Sequence, residues 1–139
     1  MNYELKIVFF FTFVSLTGFI MAHRIQNHSY QTVGYLDGNR IQDSSYRTIG
    51  YINDNRIQDG TYKIIGYING NKIQDSTYSV LGYVDENRIL NSAYTTIGYI
   101  NGNRIQDSTY RVIGYVEGSP MIVKMAATLS FFFFPFLDI

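Results

Sequence analysis

From residue 24 to residue 119 the apolar and polar positions recur every sixteen residues, without insertion or deletion. Six units fit: 24–39, 40–55, 56–71, 72–87, 88–103 and 104–119. The second position is always Ile, the seventh and twelfth always Tyr, the eleventh always Gly, and the tenth and thirteenth always Val, Ile or Leu. Such self-similarity takes precedence over any local reading. Each unit is punctuated twice. One turn is built on short polar residues such as Asp43-Ser44-Ser45, which bond their own backbone in Asx or Ser/Thr turns. The other is Asp37-Gly38, Asn53-Asp54, Asn69-Gly70, Asp85-Glu86, Asn101-Gly102 or Glu117-Gly118. An Asn-Gly or Asp-Gly pair between apolar runs predicts a tight hairpin with positive φ at both residues, and Asp85-Glu86 predicts a looser turn. Between the turns the pattern predicts a short strand, Arg-Ile-Gln, and a longer one, Tyr-x-x-Ile-Gly-Tyr-Ile. A glycine in every unit and frequent β-branched residues disfavour helix.

Simple alternation places Tyr46, Thr48, Gly50 and Ile52 on one face of the longer strand, and Arg47, Ile49 and Tyr51 on the other. Both faces are then apolar near Gly50. A kink at the glycine, with a neighbouring Tyr ring over the bare backbone, resolves this.

The predicted fold is all-β: a closed, pseudo-symmetric ring of β-hairpins, with a flattened β-solenoid as the alternative. A solenoid needs distinct polar caps at its ends. Closure removes the sheet edges and needs none. Residues 7–22 form an apolar run behind Lys6 and end on the small residue Ala22, the pattern of a secretory signal peptide. Cleavage near Ala22 leaves only His23 before the first strand, which favours closure. The expected organisation is therefore a signal peptide over 1–22, a hairpin-repeat domain over 23–119, and a Phe-rich apolar tail over 120–139. An uncleaved membrane anchor is the alternative for the first segment. Phe131, Phe132, Phe133 and Phe134 are an aggregation hazard in water. The tail is expected to fill or cover the hollow of the repeat domain, with a partner or a membrane surface of the envelope as the other candidates.

The unit RIQDSSYRTIGYINDN, behind a signal peptide and ahead of a Phe-rich tail, resembles the bacterial β-flower proteins, in which hairpins stand like petals around a pseudo-symmetry axis. The resemblance spans residue 24 to about residue 137. It implies a petal-like closed β fold and a bacterial source, and it brings no activity with it. Related members are described as five-fold. Six units are present here, with atypical outer ones (Asn27-His28-Ser29 in the first turn, Ser119-Pro120 ending the last), which leaves five or six petals.

Net charge is zero, with 11 basic and 11 acidic residues, nine of each within the repeats. Nothing here attracts nucleic acid. Absence of cysteine removes disulfides, thiolate chemistry and Cys-based zinc sites. His23 and His28 are the only histidines. The repeated Asp and Ser residues have no single partnering base, whereas an active site breaks symmetry. Catalytic residues, metal ligands and cofactors are therefore not expected. Calcium loops are disfavoured because Asn69-Gly70 and Asn101-Gly102 carry no acid.

The residues most suited to ligand binding are the basic column Arg40, Arg56, Lys72, Arg88 and Arg104, which also includes Arg24, and the tyrosines Tyr51, Tyr67, Tyr83 and Tyr99. The plainer expectation for the cations is surface pairing with acids such as Asp43 or Asp59. For the tyrosines it is cross-strand packing. The functional expectation is an exported bacterial protein of the periplasm, outer envelope or cell exterior. It would be a non-enzymatic structural or interaction module of the cell envelope, or alternatively a binding module for a glycan or small anion.

Overall fold

The computed structural model describes residues 22–134. The segment read above as a signal peptide lies, apart from Ala22, outside the described residues. Twelve antiparallel strands close into one barrel. The short strands are β1 (His23–Asn27), β3 (Arg40–Asp43), β5 (Arg56–Asp59), β7 (Lys72–Asp75), β9 (Arg88–Asn91) and β11 (Arg104–Asp107). The long ones are β2 (Thr32–Asp37), β4 (Thr48–Asn53), β6 (Ile64–Asn69), β8 (Val80–Asp85), β10 (Thr96–Asn101) and β12 (Val112–Val116). Neighbours in sequence are neighbours in the sheet, and β1 meets β12 through Ile25↔Val116, Gln26↔Tyr115 and Asn27↔Gly114. The ring is closed, and the solenoid alternative is overturned. All six units take part. Five hairpins, from β2–β3 to β10–β11, are joined by a two-residue turn, and the sixth is assembled from the first and last strands.

The tight turns sit one residue later than the sequence suggests. Asp37 pairs with Arg40, so the turn residues are Gly38 and Asn39. Only the first of them has positive φ: Gly38, Asp54, Gly70, Glu86 and Gly102 lie at +55° to +64°. Glu86 occupies the same two-residue turn as the others, with Asp85 opposite Arg88, so no looser turn forms there.

The polar turns follow the Asx pattern. Asp43 Oδ1 accepts from the backbone N–H groups of Ser45 (2.8 Å) and Arg47 (3.0 Å). Asn27 and Asn91 do the same uncharged in the first and fifth units. These donors favour the ionised carboxylate. Asp43, Asp59 and Asp75 are held below the ordinary carboxylate range. For Asp107 the Thr109 hydroxyl, the backbone N–H groups of Arg111 and Thr109 and the Arg111 guanidinium bring the value to about 2, against an opposing contribution from burial. A folded-state value below the unfolded one contributes stability above the unfolded carboxylate pKa, and that stability is lost as pH falls through the folded value. The melting temperature of the native chain is therefore expected to fall between neutral pH and about pH 2. Replacing Asp43, Asp59, Asp75 and Asp107 together by Asn should keep the turns and flatten that fall. An equally steep fall in the variant, followed by thermal circular dichroism, would place the acid sensitivity elsewhere.

The barrel wall explains the double-faced long strand. Ile41 pairs with Gly50 but Gln42 pairs with Thr48, so Ile49 is the extra residue of a β-bulge. The bulge turns Ile49 toward the core along with Gly50 and Ile52, and leaves Tyr51 outside. The same bulge recurs in every unit. Ile25, Ile41, Ile57, Ile73, Ile89 and Ile105 form the inner layer, none more than 1 % exposed.

About eight strands give a barrel that its own side chains can fill, so twelve leave a hollow. The C-terminal segment occupies it. Helix α1 (Pro120–Leu129) is a feature that the sequence reading did not anticipate. It begins with Ser119 as N-cap and Pro120 in its first turn, a recognised helix start. It buries Val123, Ala126, Ala127 and Leu129 in the same core as the six isoleucines, and Thr128 is buried as well. Beyond it the four phenylalanines fan outward. A Cβ placed on Gly82, Gly66, Gly50 or Gly34 would meet the ring of Phe131, Phe132, Phe133 or Phe134, respectively, at under 3 Å. The aromatic lid over the repeat glycine is thus a tail phenylalanine and not the tyrosine expected from the sequence. The glycine column leaves sockets, one unit per phenylalanine, filled in reverse chain order.

Candidate functional site

With the apolar side chains turned inward, the chemistry lies on the outer wall. Position one and the second tyrosine of each unit share the outer side of the wall with position three, which is covered there in several units (Gln42, Leu90 and Gln106 are buried): Arg40 is opposite Tyr51, and Gln42 is opposite Tyr35. The first tyrosine joins them by an unusual route. Tyr46 does not belong to the long strand, as alternation suggests. It stands in the Asx turn, two residues before β4 begins. Asp43 N–H donates to Arg47 O, Tyr46 N–H donates to Asp43 O, and Gln42 Nε2 donates to Tyr46 O at 3.1 Å. This closed loop forces a left-handed backbone at Tyr46, φ +65°, and likewise at Tyr30, Tyr62, Tyr78, Tyr94 and Tyr110. A bulky residue rarely adopts that region.

Each of these tyrosines lies on the second tyrosine of the preceding unit. Tyr35–Tyr46, Tyr51–Tyr62, Tyr67–Tyr78 and Tyr99–Tyr110 are stacked, with ring centroids 4.3–4.5 Å apart and interplanar angles of 12–15°. Tyr30–Tyr115 stacks in the same way at 4.3 Å across the seam between first and last units. In these pairs the neighbouring hydroxyl of the partner raises the pKa of Tyr46, Tyr51, Tyr67, Tyr99 and Tyr115 above the ordinary phenol value. The sixth pair differs. Tyr83 and Tyr94 meet edge to face, 4.8 Å apart at 73°, and the Tyr94 hydroxyl donates to Asp85 Oδ2 at 3.1 Å. That carboxylate raises the Tyr94 pKa.

The inner rings Tyr51, Tyr67, Tyr83 and Tyr99 are half-buried under their partners. The outer rings are 50–62 % exposed, so they, and not the predicted tyrosines, form the accessible row. Sequence reasoning saw the invariance of the seventh position. It missed its role because nothing in the residue types signals a left-handed tyrosine.

The basic column flanks this girdle, but its pairing differs from the expectation. Asp43 and Asp107 pair with Arg47 and Arg111, both at 2.8 Å. Asp59 bonds the hydroxyl of Thr61 at 2.7 Å. Column cations are met instead from position fourteen: Arg24 by Glu117 (2.5 Å), Arg40 by Asp37 and Arg88 by Asp85 (3.4 Å). Where position fourteen is Asn53, Asn69 or Asn101, the neighbouring Arg56, Lys72 and Arg104 have no carboxylate within 4 Å among the described residues. His23 is half-buried on β1 and His28 is exposed in the first polar turn, and neither joins the girdle.

The opposite feature of the ring is its mouth, where the tight turns surround the start of α1. A groove of about 790 Å³ runs there between Asn87, Gly102, Asn103 and Met121. It mixes turn amides with apolar groups such as Ile100, Pro120 and Met121 and carries no repeated arrangement, whereas the girdle repeats a phenol pair beside a cation at nearly every unit. The girdle is the candidate site.

No curated protein and no solved structure matches the chain. The described ring has six units, five of them closed by a tight turn. A family model described as "5-fold beta-flower protein" matches residues 22–135, and with its closed ring of hairpins the chain belongs to that family.

Proposed function

We infer that the protein is a non-enzymatic interaction module of the bacterial cell envelope, exported by cleavage near Ala22 and working through the outer tyrosine girdle. One observation carries the reading: six exposed tyrosines are held in left-handed backbone, five of them spread over a second ring. Gly or Asn would relieve that strain. The strain and the gain from ring stacking are of the same order, so folding alone gives little reason for tyrosine there. Backbone strain of this kind concentrates at binding surfaces. A row of flat aromatic faces suits the C–H faces of a polysaccharide. Sedimentation with purified cell-wall polysaccharide tests this. The native ring should co-sediment, and Tyr46→Ser, Tyr62→Ser and Tyr78→Ser together should lower retention roughly tenfold while the β-sheet spectrum persists. Unchanged retention would remove the girdle from the interaction.

A second reading, capture of a small anion or anionic glycan, is favoured by Arg56, Lys72 and Arg104, whose neighbouring position-fourteen residues are amides. Its binding would weaken with added salt and with Lys72→Ala, leaving the Tyr variants unaffected.

A further inference from the structure

We propose that the tyrosine girdle is a site of oxidative cross-linking, at which five stacked pairs couple to intramolecular dityrosine and seal the ring covalently. This rests on ring geometry and stands independently of the binding reading.

Three observations carry it. First, the rings of Tyr30–Tyr115, Tyr35–Tyr46, Tyr51–Tyr62, Tyr67–Tyr78 and Tyr99–Tyr110 are stacked at 4.3–4.5 Å, nearly parallel, close to the separation at which two ring carbons come into contact. Second, in each stacked pair the partner's hydroxyl is the main influence raising one phenol's pKa, which puts the two hydroxyls at the same end of the stack. The ortho carbons next to those hydroxyls are therefore at the same end of each stack, and dityrosine forms through these carbons. Third, the chain contains no Cys and no Trp to intercept an oxidising equivalent, and the outer ring of every pair is open to solvent.

The co-reactant is hydrogen peroxide acting through a haem peroxidase. Each phenol gives up its hydroxyl hydrogen as one proton and one electron. The two phenoxyl radicals join through a carbon–carbon bond between ortho positions. The hydrogens on those carbons then shift to the oxygens, restoring both aromatic rings. The two protons and two electrons reduce one peroxide to two waters. Each link therefore removes two hydrogens from the chain.

The topology gives the consequence. Each stacked pair joins one unit to the next, and Tyr30–Tyr115 joins the last unit to the first across the seam where the barrel would otherwise open. Only Tyr83–Tyr94 is edge-on, with its outer hydroxyl turned to Asp85. It serves as an internal control.

The test is to treat the full chain, monomeric and folded, with a peroxidase and limiting peroxide, and to map the products by peptide mass spectrometry. The expected result is monomer carrying up to five losses of two hydrogens, with links at the five stacked pairs and Tyr83–Tyr94 the least coupled. The Tyr46→Phe variant keeps a stackable ring but should lose only the Tyr35 link. The urea-unfolded chain should give scattered or intermolecular links. Absence of links in the folded monomer would overturn the proposal. So would the same link distribution in folded and unfolded chains, or a Tyr46→Phe variant that loses all links while still folded.

Discussion

Removing residues 131–139 is expected to leave a chain that does not form a monomeric barrel. The phenylalanines are not an appendage to a finished ring. Phe134 is 2 % exposed, and Phe131, Phe132 and Phe133 pack against the same core of isoleucines and helix residues. Truncating one buried phenylalanine to alanine costs about 3–5 kcal/mol, with half-buried rings toward the lower end. Losing four approaches or exceeds the ~5–15 kcal/mol by which an ordinary domain is stable. The hollow left in a twelve-strand barrel cannot be repacked from the wall, because position eleven of every unit is glycine. Circular dichroism and size-exclusion chromatography would show loss of cooperative unfolding and formation of aggregates. A monomeric truncation with native melting behaviour would mean that the wall stands without its hub.

The second large effect is expected at the sockets. Gly50→Val should destabilise by about 1–3 kcal/mol or more, because it inserts carbon atoms into a filled site. A Cβ there would lie 2.5 Å from Phe133 Cζ and 2.7 Å from the backbone oxygen of Gln58. The ring can withdraw, but the backbone cannot. Gly50→Ala combined with Phe133→Ala should therefore cost less than the sum of the two single changes, since the side-chain clash vanishes in the pair. A residual cost remains from the Gln58 contact. By contrast, a Cβ at Gly38, Gly70 or Gly102 meets nothing within 4 Å, and substitution there carries only the penalty of positive φ. Denaturant unfolding of the two single variants and the double variant gives the coupling. Strict additivity would separate Phe133 from the socket at Gly50.

Much of this architecture is legible in the sequence. The sixteen-residue period, the two turns per unit and the invariant Ile and Gly columns point to hairpins that close on themselves, and closure is what the strands show. Features involving two distant segments are harder to read. The glycine column and the run of four phenylalanines are each conspicuous. Their match depends on one turn of chain on the axis spacing its side chains to meet glycines sixteen residues apart on the wall. Ser119-Pro120 carries a helix start, but at the end of a β-repeat it also reads as a worn last unit. The bulge at Ile49 is silent for a simpler reason: alternation counts residues, and an extra residue on one strand breaks the count without changing composition. The same error placed Tyr46 in a strand. Propensity argues against a left-handed tyrosine, so the girdle, where sequence and local preference disagree, was the least visible part of the molecule. The cation column was found, but its partners at position fourteen were not, because the tight turn is one residue out of the expected register.

The most direct test of a ring closed around its own tail is a set of through-space proton contacts measured by nuclear magnetic resonance in the folded protein. The α-protons of Gly82, Gly66, Gly50 and Gly34 should each contact one ring, those of Phe131, Phe132, Phe133 and Phe134, in that reversed order. Glycines in contact with a tyrosine ring instead, or with no aromatic ring at all, would contradict it.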